Sequence, residues 1–173
     1  MRIVKCSYEQ HAGAILAILN DAIVSSTALF DYEPRSAESM VEWFRLKTVR
    51  QFPVIGAEAE DGALLGFATY GTFRAWPAYK YSVEHSVYVR KDHRRQGLAR
   101  ALMKHLIDLA MEQRYHTLVA GIDAANAPSI ALHEQLGFNY VGTVRDAGFK
   151  FGRWLDLAFY QLLLPTPHQP RDG

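Results

Sequence analysis

The stretch Val87–Arg100 constrains the fold of this chain most, because it combines a buried-looking strand, a basic loop and the start of an amphipathic helix. Leucines recur at helical spacing after the loop and predict one apolar helix face: Leu98, Leu102, Leu106 and Leu109. A strand that leads into such a helix predicts a helix packed on a sheet.

The basic loop has the composition of an anion site. The first N–H groups of a helix have no intrahelical partner and carry partial positive charge. Gly97 and the small Ala99 let phosphate oxygens approach the backbone, and cations flank them at Arg94, Arg95 and Arg100. The pattern predicts a pyrophosphate site, and the alternative is a solvated basic turn. Its spacing is neither GxGxxG nor GxxxxGK[ST], which excludes a Rossmann or P-loop site.

Apolar periodicity along the rest of the chain predicts the element order β-α-α-β-β-β-α-β-α-β-β. This order predicts an α/β (α+β) fold, with a mixed, mostly antiparallel sheet and helices on both faces. Crossovers through the two later helices require a parallel strand pair, and such a switch is a natural ligand crevice. We expect one domain over residues 1–164 and a disordered tail over residues 165–173.

Composition excludes several classes of protein and of site. Lys+Arg of 19 and Asp+Glu of 18 give a net charge of +1, so no global field would recruit nucleic acid or a membrane surface. The single cysteine, Cys6, excludes an internal disulfide, and no secretory or membrane-spanning stretch is found, which together predict a cytoplasmic protein. We expect no metal, because no HExxH or similar ligand set is formed by His85, His93, His105, His116 and His133.

Two motifs resemble those of one enzyme family. Arg94-x-x-Gly97-x-Ala99 after a Val-Tyr-Val strand resembles the acyl-CoA signature of the GNAT superfamily of N-acetyltransferases, and Asn126–Phe138 resembles its later motif, an Asn-capped helix that ends in Leu-Gly-Phe. Val83–Val89 and Lys150–Asp156 are similar to the phosphinothricin and methionine sulfoximine or sulfone acetyltransferases within it. The similarity runs from about Ile3 to Leu164. It implies acetyl-CoA as co-substrate and a splayed parallel strand pair that forms the acyl-CoA crevice.

The resemblance implies direct transfer, in which a free amine attacks the thioester carbonyl and coenzyme A leaves as a thiolate. An α-amine with a pKa near ~8 needs a base at neutral pH, and the resemblance places the catalytic glutamate at Glu84. The alternative is that Glu84 only pairs with a cation on a half-exposed strand. His133 stands where many members have a tyrosine, so it could protonate the thiolate, bond the coenzyme, or be a packed helix histidine.

Coenzyme contacts are expected from the strand, the loop and the start of the later helix. A backbone N–H within Val87–Val89 is the expected oxyanion donor, and the strand edge would pair with the pantetheine amides. For Asn126, a pure helix cap is the alternative. The full set of expected coenzyme contacts is Val87, Tyr88, Val89, Arg94, Arg95, Gln96, Gly97, Leu98, Ala99, Arg100, Asn126 and Ser129.

For the acceptor amine, Arg74 is the natural partner of a carboxylate or another anionic oxygen, and the resemblance points the same way. Phe30 and Trp76 could wall the side-chain pocket, or each could be ordinary core. Lys150 could reach the same pocket from the later hairpin, or be a solvated turn residue.

His85 and Ser86 directly follow the expected base and are further candidates for contact with the acceptor. Strand alternation sends Glu84 and His85 to opposite faces of the sheet unless a bulge intervenes.

The sequence therefore predicts an acetyl-CoA-dependent N-acetyltransferase for the α-amino group of a small amino-acid-like molecule. One alternative is a protein N-terminal or lysine acetyltransferase, which needs an open, acidic groove. Another is a non-catalytic acyl-CoA-binding module, against which Glu84 argues because such a module needs no base. Family resemblance and the aromatic-rich segment Phe149–Tyr160 also predict a homodimer.

Overall fold

The structure of the protein, a computed structural model, describes residues 1–172 and confirms the order of elements that the sequence predicts. The helices are α1 Tyr8–Ser25, α2 Ala37–Val49, α3 Leu98–Glu112 and α4 Ala127–Gln135. The strands are β1 Arg2–Lys5, β2 Val54–Glu58, β3 Leu64–Thr72, β4 Ser82–Val89, β5 Thr117–Asp123, β6 Asn139–Lys150 and β7 Arg153–Leu163. Short 3-10 helices at Pro77–Tyr79 and Lys91–His93 flank β4.

The strands follow the order β1-β2-β3-β4-β5-β7-β6 in one sheet. β4 and β5 run parallel, with Ser82–Glu84 opposite Thr117–Val119. The pairs β1–β2, β2–β3, β5–β7 and β6–β7 are antiparallel. This is the mixed, mostly antiparallel sheet that the sequence predicts.

A serine side chain caps the start of each of the two early helices. Ser7 accepts a hydrogen bond from the Gln10 N–H at 3.3 Å, and Ser36 accepts one from the Ser39 N–H at 3.4 Å. Each bond satisfies an N–H group that has no partner within its helix. At the end of α4, Gly137 has a φ of 89°, the left-handed conformation in which a glycine commonly ends a helix.

The chain divides into two units, and the first contains Met1–Tyr70 and Ser86–Leu106. Its core lies where α1 and α2 meet β2 and β3, and α1 packs through one apolar stripe. The buried residues of this core include Ile15, Leu19, Met40, Phe44, Val54, Leu64 and Phe67. Burial of this apolar surface is the main stabilising contribution to the unit.

The second unit contains Gly71–His85 and the chain from Ile107 onwards. It holds α4, β5, the β6–β7 hairpin and the start of β4. β6 is a long strand, because register shifts at Tyr140/Gly142 and Val144/Gly148 absorb extra residues and let pairing with β7 continue to Lys150.

Two further findings concern the C-terminal segment and the helices. After β7, the Thr166 carbonyl lies 2.9 Å from His116 Nδ1, and the Arg171 N–H donates to the Tyr81 hydroxyl at 3.1 Å. Within residues 1–172, no helix is both long and apolar enough to cross a membrane.

Candidate active site

The first residues of β4 alternate between the two faces of the sheet. Val83 and His85 are buried, whereas Ser82 and Glu84 are half-buried. The alternation is regular, so Glu84 and His85 point to opposite faces, as the pleat of a strand requires. The expected base and the histidine that follows it therefore have separate surroundings.

Glu84 lies partly withdrawn from water on its face of the sheet. Burial raises the pKa of its carboxyl above the ordinary value, and the positive charge of Arg74 acts in the opposite direction. The neighbouring strand leaves room for the carboxylate because Gly121 has no side chain. A Cβ built on Gly121 would lie only 3.1 Å from Glu84 Oε1 and 3.4 Å from Leu157 Cδ1. A carboxylate with a raised pKa is a stronger base than one in free solution.

Arg74 is an exposed residue just after β3, and its guanidinium is held by local contacts. Its carbon Cζ lies 4.4 Å from the Phe73 ring centroid, and Nη1 donates to the Phe73 carbonyl at 2.9 Å. Trp76 is exposed nearby, with its ring 6.4 Å from that of Tyr79. Since a guanidinium has five N–H donors, most of the Arg74 fork remains available to a ligand.

On the opposite face, His85 and His133 form a buried imidazole pair. Their Nε2 atoms lie 3.2 Å apart and their rings stack with centroids 5.0 Å apart, while Phe138 packs edge-on against both. His133 Nδ1 lies 2.7 Å from the Ser129 carbonyl, which can only accept, so this nitrogen is the donor. In the neutral pair, His85 Nε2–H then donates to His133 Nε2, and His85 Nδ1 has no partner within residues 1–172.

Burial keeps both rings of this pair neutral. It lowers the pKa of His85 to about 3, with a smaller contribution from His133, and it also lowers the pKa of His133. His133 is only 2% exposed, and both of its ring nitrogens have partners. Of the three roles that the sequence leaves open for His133, these contacts match that of a packed helix histidine. A role of His133 as the acid stays a prediction.

The cationic side chains of the basic loop in the first unit form two groups. Arg90 and Lys91 are engaged in ion pairs, with Asp92 at 2.7 Å and with Asp21 at 2.8 Å. The Arg90 bonds, followed by one from His93, hold the pKa of the Asp92 carboxyl well below its usual range.

The second group of cations is unengaged. Arg94, Arg95 and Arg100 have exposed guanidinium groups, which form no ion pair and no side-chain hydrogen bond with the protein within residues 1–172. Gly97 has a φ of 78°, which a glycine adopts without strain, and a Cβ here would meet no atom within 4 Å. Unpaired cations, open space and the amino end of the fifteen-residue α3 fit an anionic group such as a pyrophosphate.

The remaining coenzyme candidates occupy two places. Val87, Tyr88 and Val89 form the half-buried end of β4, and the Tyr88 ring lies 5.4 Å from that of Phe67. In the second unit, Asn126 caps α4 by accepting the Ser129 N–H at 3.3 Å. The capping role of Asn126 is therefore confirmed, and coenzyme contact by it or by Ser129 stays a prediction.

The other acceptor candidates also have defined positions. Phe30 is an exposed residue of the loop between α1 and α2, and Ser86 is half-buried in β4. Lys150 ends β6 and is only 4% exposed, with Nζ 5.0 Å from the Phe151 ring centroid. Lys150 is therefore not a solvated turn residue.

Three contacts of the structure are not predicted by any sequence pattern. Gly121 borders the Glu84 carboxylate, His85 meets His133 across 48 residues, and Lys47 donates to the Tyr70 carbonyl at 2.7 Å. Burial lowers the pKa of Lys47 to about 8, and its Nζ lies 5.2 Å from the Trp43 ring centroid. No motif or spacing marks these contacts, since each joins parts of the chain that are distant in sequence.

Comparison with known proteins identifies the family. Residues 5–159 match the acetyltransferase (GNAT) domain. An L-methionine sulfoximine/L-methionine sulfone acetyltransferase from Pseudomonas aeruginosa is 43% identical over 157 residues, which cover 90% of this chain and 91% of the relative.

Solved structures show the same relationship. An N-acetyltransferase from Staphylococcus aureus superposes with a TM-score of 0.91 and 46% identity, over 94% of this chain and 97% of its own. A phosphinothricin acetyltransferase from Sinorhizobium meliloti in complex with AcCoA has a TM-score of 0.93 and 31% identity, over 99% of this chain and 94% of its own. With a family match over most of its length, this chain belongs to the acetyltransferase (GNAT) family and is an N-acetyltransferase.

Proposed function

We propose that the enzyme transfers the acetyl group of acetyl-CoA to the α-amino group of a small amino-acid-like acceptor. Candidate acceptors are methionine sulfoximine, methionine sulfone and phosphinothricin, which the names of the relatives give as their substrates, together with related amino acids. The observation that carries the proposal is the half-buried carboxylate of Glu84, whose pKa is raised by burial and which lies within the field of Arg74. A base and a cation together suit an acceptor that has both an ammonium and an acidic group.

Glu84 acts as the general base in this proposal. An α-ammonium with a pKa near ~8 is largely protonated at neutral pH and cannot attack a thioester until it loses a proton. Glu84 accepts that proton, directly or through one water, and releases it to solvent after transfer. The second N–H proton is lost when the tetrahedral intermediate collapses to the amide, and its charge balances that of the departing coenzyme A thiolate. Its raised pKa reduces the gap between base and ammonium, which favours proton transfer.

Arg74 binds the acidic group of the acceptor. Stacking on Phe73 and the bond to the Phe73 carbonyl fix the plane of its guanidinium, so less side-chain entropy is lost when an anion binds. Phe30, Trp76, His85, Ser86 and Lys150 remain proposed contacts of the acceptor. Their test is the acceptor KM of single variants.

The loop between β4 and α3 is proposed to bind the pyrophosphate of acetyl-CoA. The unpaired guanidinium groups of Arg94, Arg95 and Arg100 and the N–H groups from Gly97 to Arg100 supply the donors. Val87–Val89 would offer backbone groups to the pantetheine and an N–H to the oxyanion, with Gln96, Leu98, Asn126 and Ser129 as further contacts. His133 keeps its proposed acid role only if its bond to His85 opens.

We further propose a homodimer that works in the cytoplasm as one acetyltransferase domain over residues 1–164. Phe149 and Trp154 pack edge to face at 5.2 Å near the tip of the β6–β7 hairpin, and Trp154 is 60% exposed. Exposed aromatic clusters of this kind are common at protein interfaces. The free thiol of Cys6 fits a reducing compartment.

Release of the coenzyme A thiol in the presence of different amines tests the function. We expect the highest kcat/KM with methionine sulfone, methionine sulfoximine or phosphinothricin, and lower values with free lysine and with a peptide N-terminus. Preference for the peptide would support the protein acetyltransferase alternative instead. Binding of acetyl-CoA without turnover of any amine would contradict the proposal.

A further inference from the structure

Strand β5 lacks a side chain beside the Glu84 carboxylate. Glu84 lies opposite Val119 in the parallel pair, and Gly121 is two residues further along the same face. A Cβ at Gly121 would lie 3.1 Å from Glu84 Oε1, 3.4 Å from Leu157 Cδ1 and 3.8 Å from Phe159 Cε1. The carboxylate oxygen therefore occupies part of the space that any other residue at position 121 would fill.

Backbone conformation does not explain the glycine at this position. Gly97, Gly137 and Gly152 have positive φ values, whereas Gly121 is a regular β5 residue that is not among the positive-φ glycines. Gly121 is also exposed, so no buried core packing requires a small residue there. What remains is the close approach of the Glu84 side chain.

We propose that Gly121 is a positioning residue, and that its missing side chain keeps open the space in which the Glu84 carboxylate is held for proton transfer. This inference rests on the proposed role of Glu84 as the base. Gly121 itself touches neither the amine nor the acetyl group and acts only through the carboxylate. A methyl group at position 121 would push the carboxylate aside by a few tenths of an ångström.

The same methyl group would change the electrostatics of Glu84. Leu157 and Phe159 already present apolar atoms beside this space, and Arg74 is the charged group that acts on Glu84. The next acidic group on this face of β5, Asp123, accepts the Ala125 N–H and faces Arg153 at 3.8 Å. An added apolar contact therefore disfavours the charged form of Glu84 further and raises its pKa.

The test compares Gly121→Ala with Gly142→Ala, since Gly142 is a strand glycine whose added Cβ would meet no atom within 4 Å. We expect Gly121→Ala to lower kcat about tenfold at pH 7. Displacement of a catalytic group by about 1 Å can reduce a rate ~100-fold, and the carboxylate is expected to move by only a few tenths of an ångström. The acid limb of its pH–rate profile should move to higher pH, while the affinity for acetyl-CoA and the melting temperature stay near wild type. Gly142→Ala should change none of these quantities.

Adding each alanine to Glu84→Gln separates positioning from other effects. If Gly121 acts only through the carboxylate, Gly121→Ala causes no further loss of kcat in that background. An equal loss in both backgrounds, or a Gly121→Ala enzyme with the kcat and acid limb of wild type, would overturn the inference. Wild-type kcat in Glu84→Gln alone would instead remove the proposed base.

Discussion

Replacing His85 by glutamine should remove much of the acid sensitivity of the fold. His85 is 7% exposed and its pKa is lowered to about 3, so the folded protein holds it neutral. In the unfolded chain the ring takes up a proton below its ordinary pKa of 6.5. The unfolded state therefore binds more protons between pH 6.5 and pH 3, and stability falls as the pH falls through that window.

The size of this effect follows from the shift. Each pH unit within the window changes the free energy of unfolding by ~1.4 kcal/mol, so His85 should lower it by about 2 kcal/mol between pH 7 and pH 5. Glutamine at position 85 can still donate an amide N–H to His133 Nε2 but does not titrate. His85→Gln should therefore lose about 2 kcal/mol less than wild type over the same pH change.

Urea unfolding at pH 7 and pH 5 measures this difference directly. The matched control is His105→Gln, because His105 is an exposed histidine on α3. Its loss of stability between the two pH values should equal that of wild type. A His85→Gln protein whose stability falls with pH as steeply as wild type would refute the buried neutral pair.

Three other perturbations test the pyrophosphate site, the burial of the Lys47 amine and the homodimer. In thermal unfolding, acetyl-CoA should raise the melting temperature of Gly97→Val far less than that of wild type. A β-branched residue is strained at a φ of 78° and blocks the approach of phosphates. An undiminished rise would show that the pyrophosphate binds elsewhere. Since the pKa of Lys47 is lowered to about 8, the folded state binds fewer protons above that pH than the unfolded state does. Wild type should therefore gain stability relative to Lys47→Met between pH 8 and pH 10.5 in urea titrations, and parallel curves would contradict the burial of its amine. Trp154→Ser should shift light scattering from dimer to monomer, and a monomeric wild type would refute the homodimer.

Local sequence patterns predict much of the fold because each element carries its own signals. The Ser7 and Ser36 caps, the Gly137 stop and the apolar face of α3 are set by neighbouring residues. The full length of β6 is not predicted, because its bulges depend on pairing with β7. The order of elements is thus a local property, and the exact strand ends are not.

The candidate site also has one part that the sequence predicts and one part that it does not. The basic loop is recognisable because its arginines and Gly97 are adjacent in sequence. The environment of Glu84 is not, since Gly121 comes beside it only through the pairing of β4 with β5, and Leu157 and Phe159 border the space at Gly121 only through the pairing of β5 with β7. Burial likewise decides the state of His133, and no spacing reveals that its partner is His85.

The pH dependence of kcat for Glu84→Gln tests most directly whether Glu84 removes the proton from the acceptor amine. Glutamine keeps the shape of the side chain and removes the base, which typically contributes roughly 10²–10⁴-fold. We expect kcat to fall at pH 7 with unchanged acetyl-CoA affinity, and to recover in part at alkaline pH, where the amine loses its proton unaided. Arg74→Ala, measured alongside, should mainly raise the acceptor KM, roughly ten- to a hundredfold for a lost charge-assisted contact. A Glu84→Gln enzyme with wild-type kcat at every pH would contradict the assignment of Glu84 as the base.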